Sequence, residues 1–222
     1  MTISPEILNL VRDLLTYFQL VTAIIATLYF KKYNEGFIKY FLIFLWYTAI
    51  NDFIGKYYSI NINNNNKIFY NIYQMVQFGF YLTLYYFNIK NKTNKNVILV
   101  FLGLYFVSVL INCSYENFSI SYFQTTYIIG ATFTVIAIVM YFSQILNSDK
   151  IIIITKILLF WISTALLIYY LPIIPFMVVQ KYSIKSTKIP DFFIARFILV
   201  FLLNVLFISG FIWCNKDRKY QK

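Results

Sequence analysis

Histidine is missing altogether from the 222-residue chain. Its absence excludes zinc and haem sites with an imidazole ligand, and every catalytic dyad or triad with a histidine base. Charged residues are scarce too, at 12% of the chain, which is about half of what a soluble domain carries. The Gly-x-Gly-Asp motif of intramembrane aspartyl proteases is also lacking. This composition does not favour an enzyme, and neither a cofactor nor a metal ion is expected.

Apolar residues are what the chain has in excess. They make up 60% of it, against about 45–50% in a soluble domain, and aromatic residues alone reach 22%. Because a water-soluble fold of this length could not bury such a surplus, the lipid bilayer is the expected environment. Seven apolar stretches with short loops predict an all-α polytopic membrane protein, a seven-transmembrane-helix bundle in a single domain over residues 1–222. The predicted spans cover residues 7–30, 37–58, 68–88, 97–112, 122–146, 151–180 and 191–214.

Only two cysteines occur, Cys113 and Cys214, and the predicted helices place them near opposite membrane faces, about 30 Å apart. A disulfide requires Cα atoms within about 7 Å of each other, so none is expected between them. A cleavable signal peptide is lacking as well, because Arg12 is the only basic residue among the first sixteen. The first helix is therefore expected to be retained.

Two prolines, Pro172 and Pro175, fall near the outer end of the sixth predicted span. Proline removes a helical N–H donor, and its ring clashes with the preceding turn, so a bend is expected here. Such a bend would turn Tyr169 and Tyr170 toward the interior of the bundle or toward its outer mouth.

The distribution of lysine and arginine predicts how the chain is oriented in the membrane. With the N-terminus outside and the C-terminus in the cytoplasm, twelve of the 19 basic residues fall on the inner side and seven on the outer side. Basic residues concentrate in cytoplasmic loops, so this orientation is predicted, in a multi-pass protein of the bacterial inner membrane. The same loops account for the net charge of +11, and none is long enough to form a nucleic-acid-binding face.

Polar side chains gather at one predicted depth. An ionisable group inside a span costs about 2.5–3.5 kcal/mol to insert, so such groups are candidates for function. Two aspartates and two arginines lie at a common level in the outer half of the bilayer, where their charges cancel, and amide and tyrosine side chains share that level. The candidate ligand-binding or polar layer consists of Arg12, Asp13, Asp52, Gln74, Gln77, Tyr169, Tyr170 and Arg196. Other residues at the same level are Asn9 and Thr16 in the first span, Thr48, Gly55 and Ser59 in the second, Asn71 and Tyr81 in the third, and Gln124-Thr125-Thr126 at the start of the fifth.

Three interpretations of this layer stay open. It is a structural layer in which ion pairs and amides join the helices, or it lines a pocket open to the outside. Alternatively, Arg12 and Arg196 extend outward to the lipid headgroups. If the first span lies beside the last in a closed ring of helices, Asp52 and Arg196 are expected to share one layer with Arg12 and Asp13.

Three stretches carry a resemblance to other proteins. They are Tyr70-Asn71-Ile72-Tyr73 with the following Phe78, Thr126-Tyr127-Ile128-Ile129-Gly130, and Phe160-Trp161-Ile162-Ser163-Thr164 continuing to Leu171. The chain resembles a family of small seven-span bacterial membrane proteins in these stretches, which cover roughly a third of its length. The resemblance implies the seven-span topology and no particular activity. Members of that family often carry Glu where Gln77 stands.

Several functions remain compatible with such a protein. A sensory or signalling component would bind a small molecule in an outward-facing polar pocket and act through a separate cytoplasmic signalling protein. A structural subunit would instead contact another membrane subunit. A small-solute transporter with three-plus-one-plus-three helices has the right size, although spans 1–3 and 5–7 show no convincing repeat. A retinal-binding rhodopsin is disfavoured, because residues 191–214 contain no lysine.

Overall fold

The computed structural model describes residues 5–62, 65–147, 154–182 and 189–214, and all of their side chains except those of 5–12, 182 and 189–193. Within these ranges the secondary structure is helical, without strands. This confirms the all-α fold. The seven α-helices are α1 (Pro5–Leu28), α2 (Tyr40–Asn61), α3 (Lys67–Asn88), α4 (Lys92–Tyr115), α5 (Gln124–Leu146), α6 (Leu158–Tyr182) and α7 (Ile189–Trp213).

The helices follow the predicted spans closely, and the largest differences lie at the starts of α4 and α6. Helix α4 begins five residues before the predicted boundary at residue 97. Asn91 caps it, because the side-chain oxygen accepts hydrogen bonds from the backbone N–H groups of Thr93 (2.8 Å) and Asn94 (3.2 Å). The first turn of α4 is polar, so the apolar pattern of the sequence did not predict it. Helix α6 begins at Leu158 instead of residue 151, and residues 151–153 lie outside the described part of the chain.

Five of the described helical segments are long and apolar enough to cross a membrane. Their composition indicates contact with lipid and is typical of an integral membrane protein. A sixth segment, Asp13–Leu28, is apolar but shorter, and α3 is not among the five. The five segments are Phe37–Asn61, Lys92–Tyr115, Gln124–Leu146, Leu158–Lys181 and Ile194–Trp213.

The chain divides into two compact units. One unit comprises Met1–Ala49 and Ile153–Lys222, and the other comprises Ile50–Ile152. The first unit contains α1, α6, α7 and the first half of α2. The second contains α3, α4, α5 and the rest of α2.

In the first unit, the last helix packs beside the first. The hydroxyl of Thr22 on α1 donates to Oδ1 of Asn204 on α7 (2.8 Å), and both side chains are buried. The rings of Phe18 and Phe201 meet edge to face, with centroids 4.9 Å apart. The residue numbers in these pairs differ by 182 and 183, so α1 and α7 run parallel.

The end of this unit at which α1 and α7 finish is held by the connection after α1. Nζ of Lys32 donates to the backbone carbonyl of Ile212 (2.6 Å) and so places a positive charge at the C-terminal end of α7. The hydroxyl of the buried Tyr33 donates back to the carbonyl of Ala26 (2.6 Å), and burial raises the pKa of Tyr33. Gly36 follows with φ of 62°, a conformation that other residues adopt only with strain.

Helix α6 packs against α7 at a very short distance. A Cβ atom at Gly210 would lie 2.6 Å from Cβ of Trp161, so only glycine fits there without a shift. At its other end, α6 continues through Pro172 and Pro175 to Tyr182. The two prolines therefore do not end the helix, although they leave two carbonyls of the preceding turn without a helical donor. The bend itself stays a prediction.

In the second unit, α3 lies alongside both α4 and α5. Side chains join α3 to α5 at both ends, from Asn71 near Phe123 to Asn88 near Gln144, so the two helices run parallel. Helix α4 runs antiparallel to them, and its Tyr105 packs edge to face on Phe78 of α3, with ring centroids 5.5 Å apart. Helices α4 and α5 therefore cover the polar face of α3.

Candidate functional site

Helix α3 carries three buried amide side chains, and their spacing explains why they share a surface. Asn71, Gln74 and Gln77 are separated by three residues each and lie among buried aromatic and leucine side chains of the same helix. Residues three apart are neighbours on a helix. In lipid such a face would be costly, whereas here all three amides are buried, and Asn71 bonds to the connection between α4 and α5.

Asn71 fastens the α4–α5 connection to α3. Its amide nitrogen donates to the carbonyls of Phe118 (2.8 Å) and Ser121 (2.7 Å). Its oxygen accepts from the backbone N–H of Phe123 (3.1 Å) and from the side chain of Gln74 (3.2 Å). An asparagine amide offers two donors and an oxygen with two lone pairs, so Asn71 is fully used.

Gln74 and Thr126 differ from Asn71, because each has a buried polar atom whose hydrogen-bonding capacity is not used. Gln74 donates to Asn71, and its backbone carbonyl accepts from the hydroxyl of Tyr105 (3.0 Å). Neither Oε1 of Gln74 nor Oγ1 of Thr126 has a hydrogen-bond partner among the described residues. Both side chains are only 1% exposed. A buried polar atom without a partner is unusual in a folded protein and requires an explanation.

These two unmatched atoms lie at the same level of the parallel pair α3 and α5. Asn71 bonds to Phe123, and Phe78 meets Gly130 about two turns further along. Each of these contacts pairs residues that are 52 apart in number. Gln74 and Thr126 are also 52 apart. The register therefore places them between the Asn71 bonds on one side and the Phe78 contact on the other.

The remaining candidates of the polar layer are distributed over both units. Gln77 is buried on α3 in the second unit, and Asp52 is half-buried in that unit's part of α2. In the first unit, Tyr169 and Tyr170 are buried on α6 with ring centroids 5.1 Å apart. The layer as a whole stays a prediction.

Of the charged candidates in the first unit, Asp13 is half-buried and Arg196 is exposed. Their residue numbers differ by 183, as those of Phe18 and Phe201 do, so the parallel register of α1 and α7 brings them to one level. The side chain of Arg12 lies outside the described part of the structure.

This register yields a testable prediction for Asp13. We expect Asp13→Asn to destabilise the protein by up to about 1 kcal/mol, because the exposed Arg196 would lose a counter-charge at its own level. Arg196→Gln in the same chain should restore part of that loss. Melting temperatures of the two single variants and the double variant in detergent would measure the coupling, and purely additive losses would contradict the pairing.

The part of the chain that the structure describes contains no cluster of side chains that could bind a metal ion. No group of three or more Cys, Asp or Glu side chains lies together there. The two cysteines are free: Cys113 is exposed and Cys214 is buried. Burial raises the pKa of the Cys214 thiol, and the charge of Lys32 opposes this only in part.

Comparison with known proteins adds no relative. No protein-family model, no curated protein and no solved structure matches the chain.

The sequence predicted the polar face of α3, but it placed Gln74 and Gln77, and not Asn71, among the candidate residues. Asn71 uses its full hydrogen-bonding capacity, although nothing in its local sequence distinguishes it from Gln77. The Thr22–Asn204 bond was also missed, because each residue is an isolated polar position in an apolar span. Only the pairing of distant helices reveals either feature.

Proposed function

We propose that the protein is a non-enzymatic, seven-span membrane sensor. In this proposal it binds a small molecule between the outer ends of α3 and α5 and acts through a separate cytoplasmic signalling protein. The observation that carries the proposal is the pair of unmatched atoms, Oε1 of Gln74 and Oγ1 of Thr126, buried at one level between two helices. A ligand that bonds to both would remove a cost that the free protein bears.

The packing of α3 and α1 supports seven spans rather than five. Helix α3 has 22 residues, about 33 Å of helix, which suffices for a hydrocarbon core of about 30 Å. It lies in parallel register with α5, which is apolar enough to cross. Helix α1 lies in the same way beside α7. A helix that packs along the whole length of a membrane-spanning helix lies at the same depth in the bilayer. The polar face of α3 is covered by neighbouring helices and does not face lipid.

Cysteine labelling would test the proposed orientation, with the N-terminus outside in a bacterial inner membrane. In a chain with Cys113→Ser and Cys214→Ala, we expect Ser119→Cys to react with a membrane-impermeant maleimide in intact cells. Asn94→Cys should react only after permeabilisation, because twelve of 19 basic residues fall on its side. The reverse pattern would contradict the orientation, and labelling of both residues from outside would contradict the span between them.

The native cysteines provide a control in the unaltered protein. Cys113 is exposed and should label readily from outside, whereas Cys214 is buried with a raised pKa and should label slowly even in detergent.

A structural role in a larger membrane complex is the second candidate, and α4 favours it. This helix buries only Ile98, Tyr105 and Val109, while Val100 and Leu110 are more than half exposed. Lipid or another membrane subunit would cover that surface. A transporter with two three-helix bundles is supported less well, because the compact units group α3 with α4 and α5 instead of separating spans 1–3 from spans 5–7.

The sensor proposal is tested by binding and by its effect at the inner end of the same unit. Purified protein in nanodiscs would be screened against small molecules by thermal shift. A true ligand should raise the melting temperature of the wild type and of Thr134→Val, but not of Gln74→Met. Thr134 is a matched control, because it is equally buried on α5 and its hydroxyl bonds within its own helix (2.8 Å).

Signalling requires that binding also alters the cytoplasmic side. The α3–α4 connection is held there by Gln144, which accepts from the backbone N–H of Lys90. Amide hydrogen exchange of residues 89–91 should change when the ligand binds. A ligand that binds without this change would contradict a sensor, and accumulation of the ligand in proteoliposomes would favour a transporter. Stable co-purification with another membrane subunit, without any ligand, would favour the structural role.

A further inference from the structure

We infer that the site at Gln74 and Thr126 takes a small, neutral molecule that donates a hydrogen bond, such as a primary amide or an alcohol. This inference rests on the sensor proposed above and specifies the class of its ligand. It follows from the formal charge, the hydrogen-bonding inventory and the packing around the two residues.

Formal charge is absent from the helical surfaces that meet here. Residues 68–88 of α3, 96–115 of α4 and 124–146 of α5 contain no Asp, Glu, Lys or Arg. An ion bound between these helices would lose its hydration without gaining an opposite charge, which is strongly unfavourable. A neutral ligand loses far less water and is the only class that the surroundings favour.

The hydrogen-bonding inventory sets the polarity of the ligand. The amide nitrogen of Gln74 already donates to Asn71, so the unmatched Oε1 can only accept. Asn71 has no capacity left. The hydroxyl of Thr126 can donate once and can accept as well. A ligand that matches both residues must therefore donate to Gln74, and a second polar atom on it would satisfy Thr126.

Close packing on the inner side limits the size of the ligand. One turn further along, a Cβ atom on Gly130 would lie only 2.4 Å from the ring of Phe78, so α3 and α5 touch there. The Phe78 ring is itself fixed between Tyr105 and Tyr127, with centroids at 5.5 Å and 5.3 Å. The molecule cannot extend deeper between these helices, which favours a ligand of few heavy atoms.

Five probes of similar size separate charge from hydrogen-bond donation. Acetamide and isopropanol are neutral donors, acetone is a neutral acceptor, acetate is an anion and isopropylammonium is a cation. Thermal shift in nanodiscs would be measured for the wild type, Gln74→Met, Thr126→Val, Thr126→Ser and the control Thr134→Val. General solvent effects are common to all variants, so the difference from Gln74→Met reports the site.

We expect acetamide and isopropanol to raise the melting temperature saturably, with half-saturation in the millimolar range that so few atoms allow. Gln74→Met and Thr126→Val should each weaken that response about tenfold, while Thr126→Ser and Thr134→Val should keep it. Should Gln74→Met fail to fold, the comparison of Thr126→Val with Thr126→Ser tests the same site.

The outcomes separate this inference from the sensor proposal. A Gln74-dependent response to acetate or isopropylammonium would overturn the neutral class and leave the sensor in place. An equal response to acetone would overturn the need for a donor. If no probe acts and both Gln74→Met and Thr126→Val raise the melting temperature, the unmatched atoms are only a structural burden, and the inference is wrong together with the proposal on which it rests.

Discussion

Replacing Asn71 by alanine is expected to cause the largest loss of stability of any single change considered, about 3–5 kcal/mol. The substitution removes four hydrogen bonds at once. It also leaves the carbonyls of Phe118 and Ser121 and the N–H of the buried Phe123 without their partner. Leaving such groups unmatched costs more than the bonds themselves contribute. For a chain of this length the apparent melting temperature should fall by about 10 °C or more.

Two further variants define the cause of that loss. Asn71→Asp keeps an acceptor for Phe123 but loses both donors, so it should be about as destabilising as alanine. Asn88→Ala is the matched control on α3, because its amide bonds only to a carbonyl of its own helix (2.8 Å), and its effect should stay below about 1 kcal/mol. Equal melting temperatures for Asn71→Ala and Asn88→Ala would show that the α4–α5 connection is held by other contacts.

The role of Asn71 also shows what could be predicted from the sequence and what could not. Apolar runs of about 20 residues predict helices well, because their burial or lipid exposure is a local property. The predicted boundaries of α3 differ from the structure by a single residue. The partners of Asn71, however, lie 47 to 52 residues away in the chain. Which amide becomes saturated and which keeps an unmatched atom depends on the register of two helices, and no local pattern encodes that.

The charged residues illustrate the same limit. Their common depth was inferred from helix length alone, and the register of α1 and α7 gives that inference a physical basis for Asp13 and Arg196. Exposure could not be inferred in this way, since Arg196 is exposed while the tyrosines of α6 are buried. Depth follows from counting residues, whereas exposure depends on which face of a helix meets its neighbours.

Two of the stretches that stand out in the sequence, Tyr70-Asn71-Ile72-Tyr73 with Phe78 and Thr126-Tyr127-Ile128-Ile129-Gly130, meet each other in the second unit. Phe78, which follows the first stretch, packs on Tyr127 of the second, with ring centroids 5.3 Å apart, and fits against Gly130. This contact gives the motifs a physical reason, because a bulky ring opposite a glycine allows two parallel helices to approach closely. The unmatched atoms of Gln74 and Thr126 lie beside it, so the packing that brings the helices together also borders the proposed ligand site.

The second large effect is therefore expected at Gly130. A methyl group there would lie 2.4 Å from the Phe78 ring, which is fully buried and cannot move aside because Tyr105 and Tyr127 pack on both sides. Overpacking of this kind typically costs about 1–3 kcal/mol, and we expect Gly130→Ala to lie at the upper end. The apparent melting temperature should drop accordingly, and the response to acetamide should weaken because α3 and α5 are forced apart at the site.

The chain supplies both a control and a rescue for Gly130→Ala. Gly103 is also inside a helix, but a Cβ atom there meets nothing within 4 Å. Gly103→Ala should therefore be neutral or stabilise the protein by up to about 1 kcal/mol, since alanine favours a helix more than glycine does. Phe78→Leu should be destabilising alone, because it leaves space around a buried ring, but milder in the presence of Gly130→Ala, whose methyl group occupies that space. Additive losses in the double variant would mean that the two residues do not interact, and the close contact of α3 with α5 would have to be abandoned.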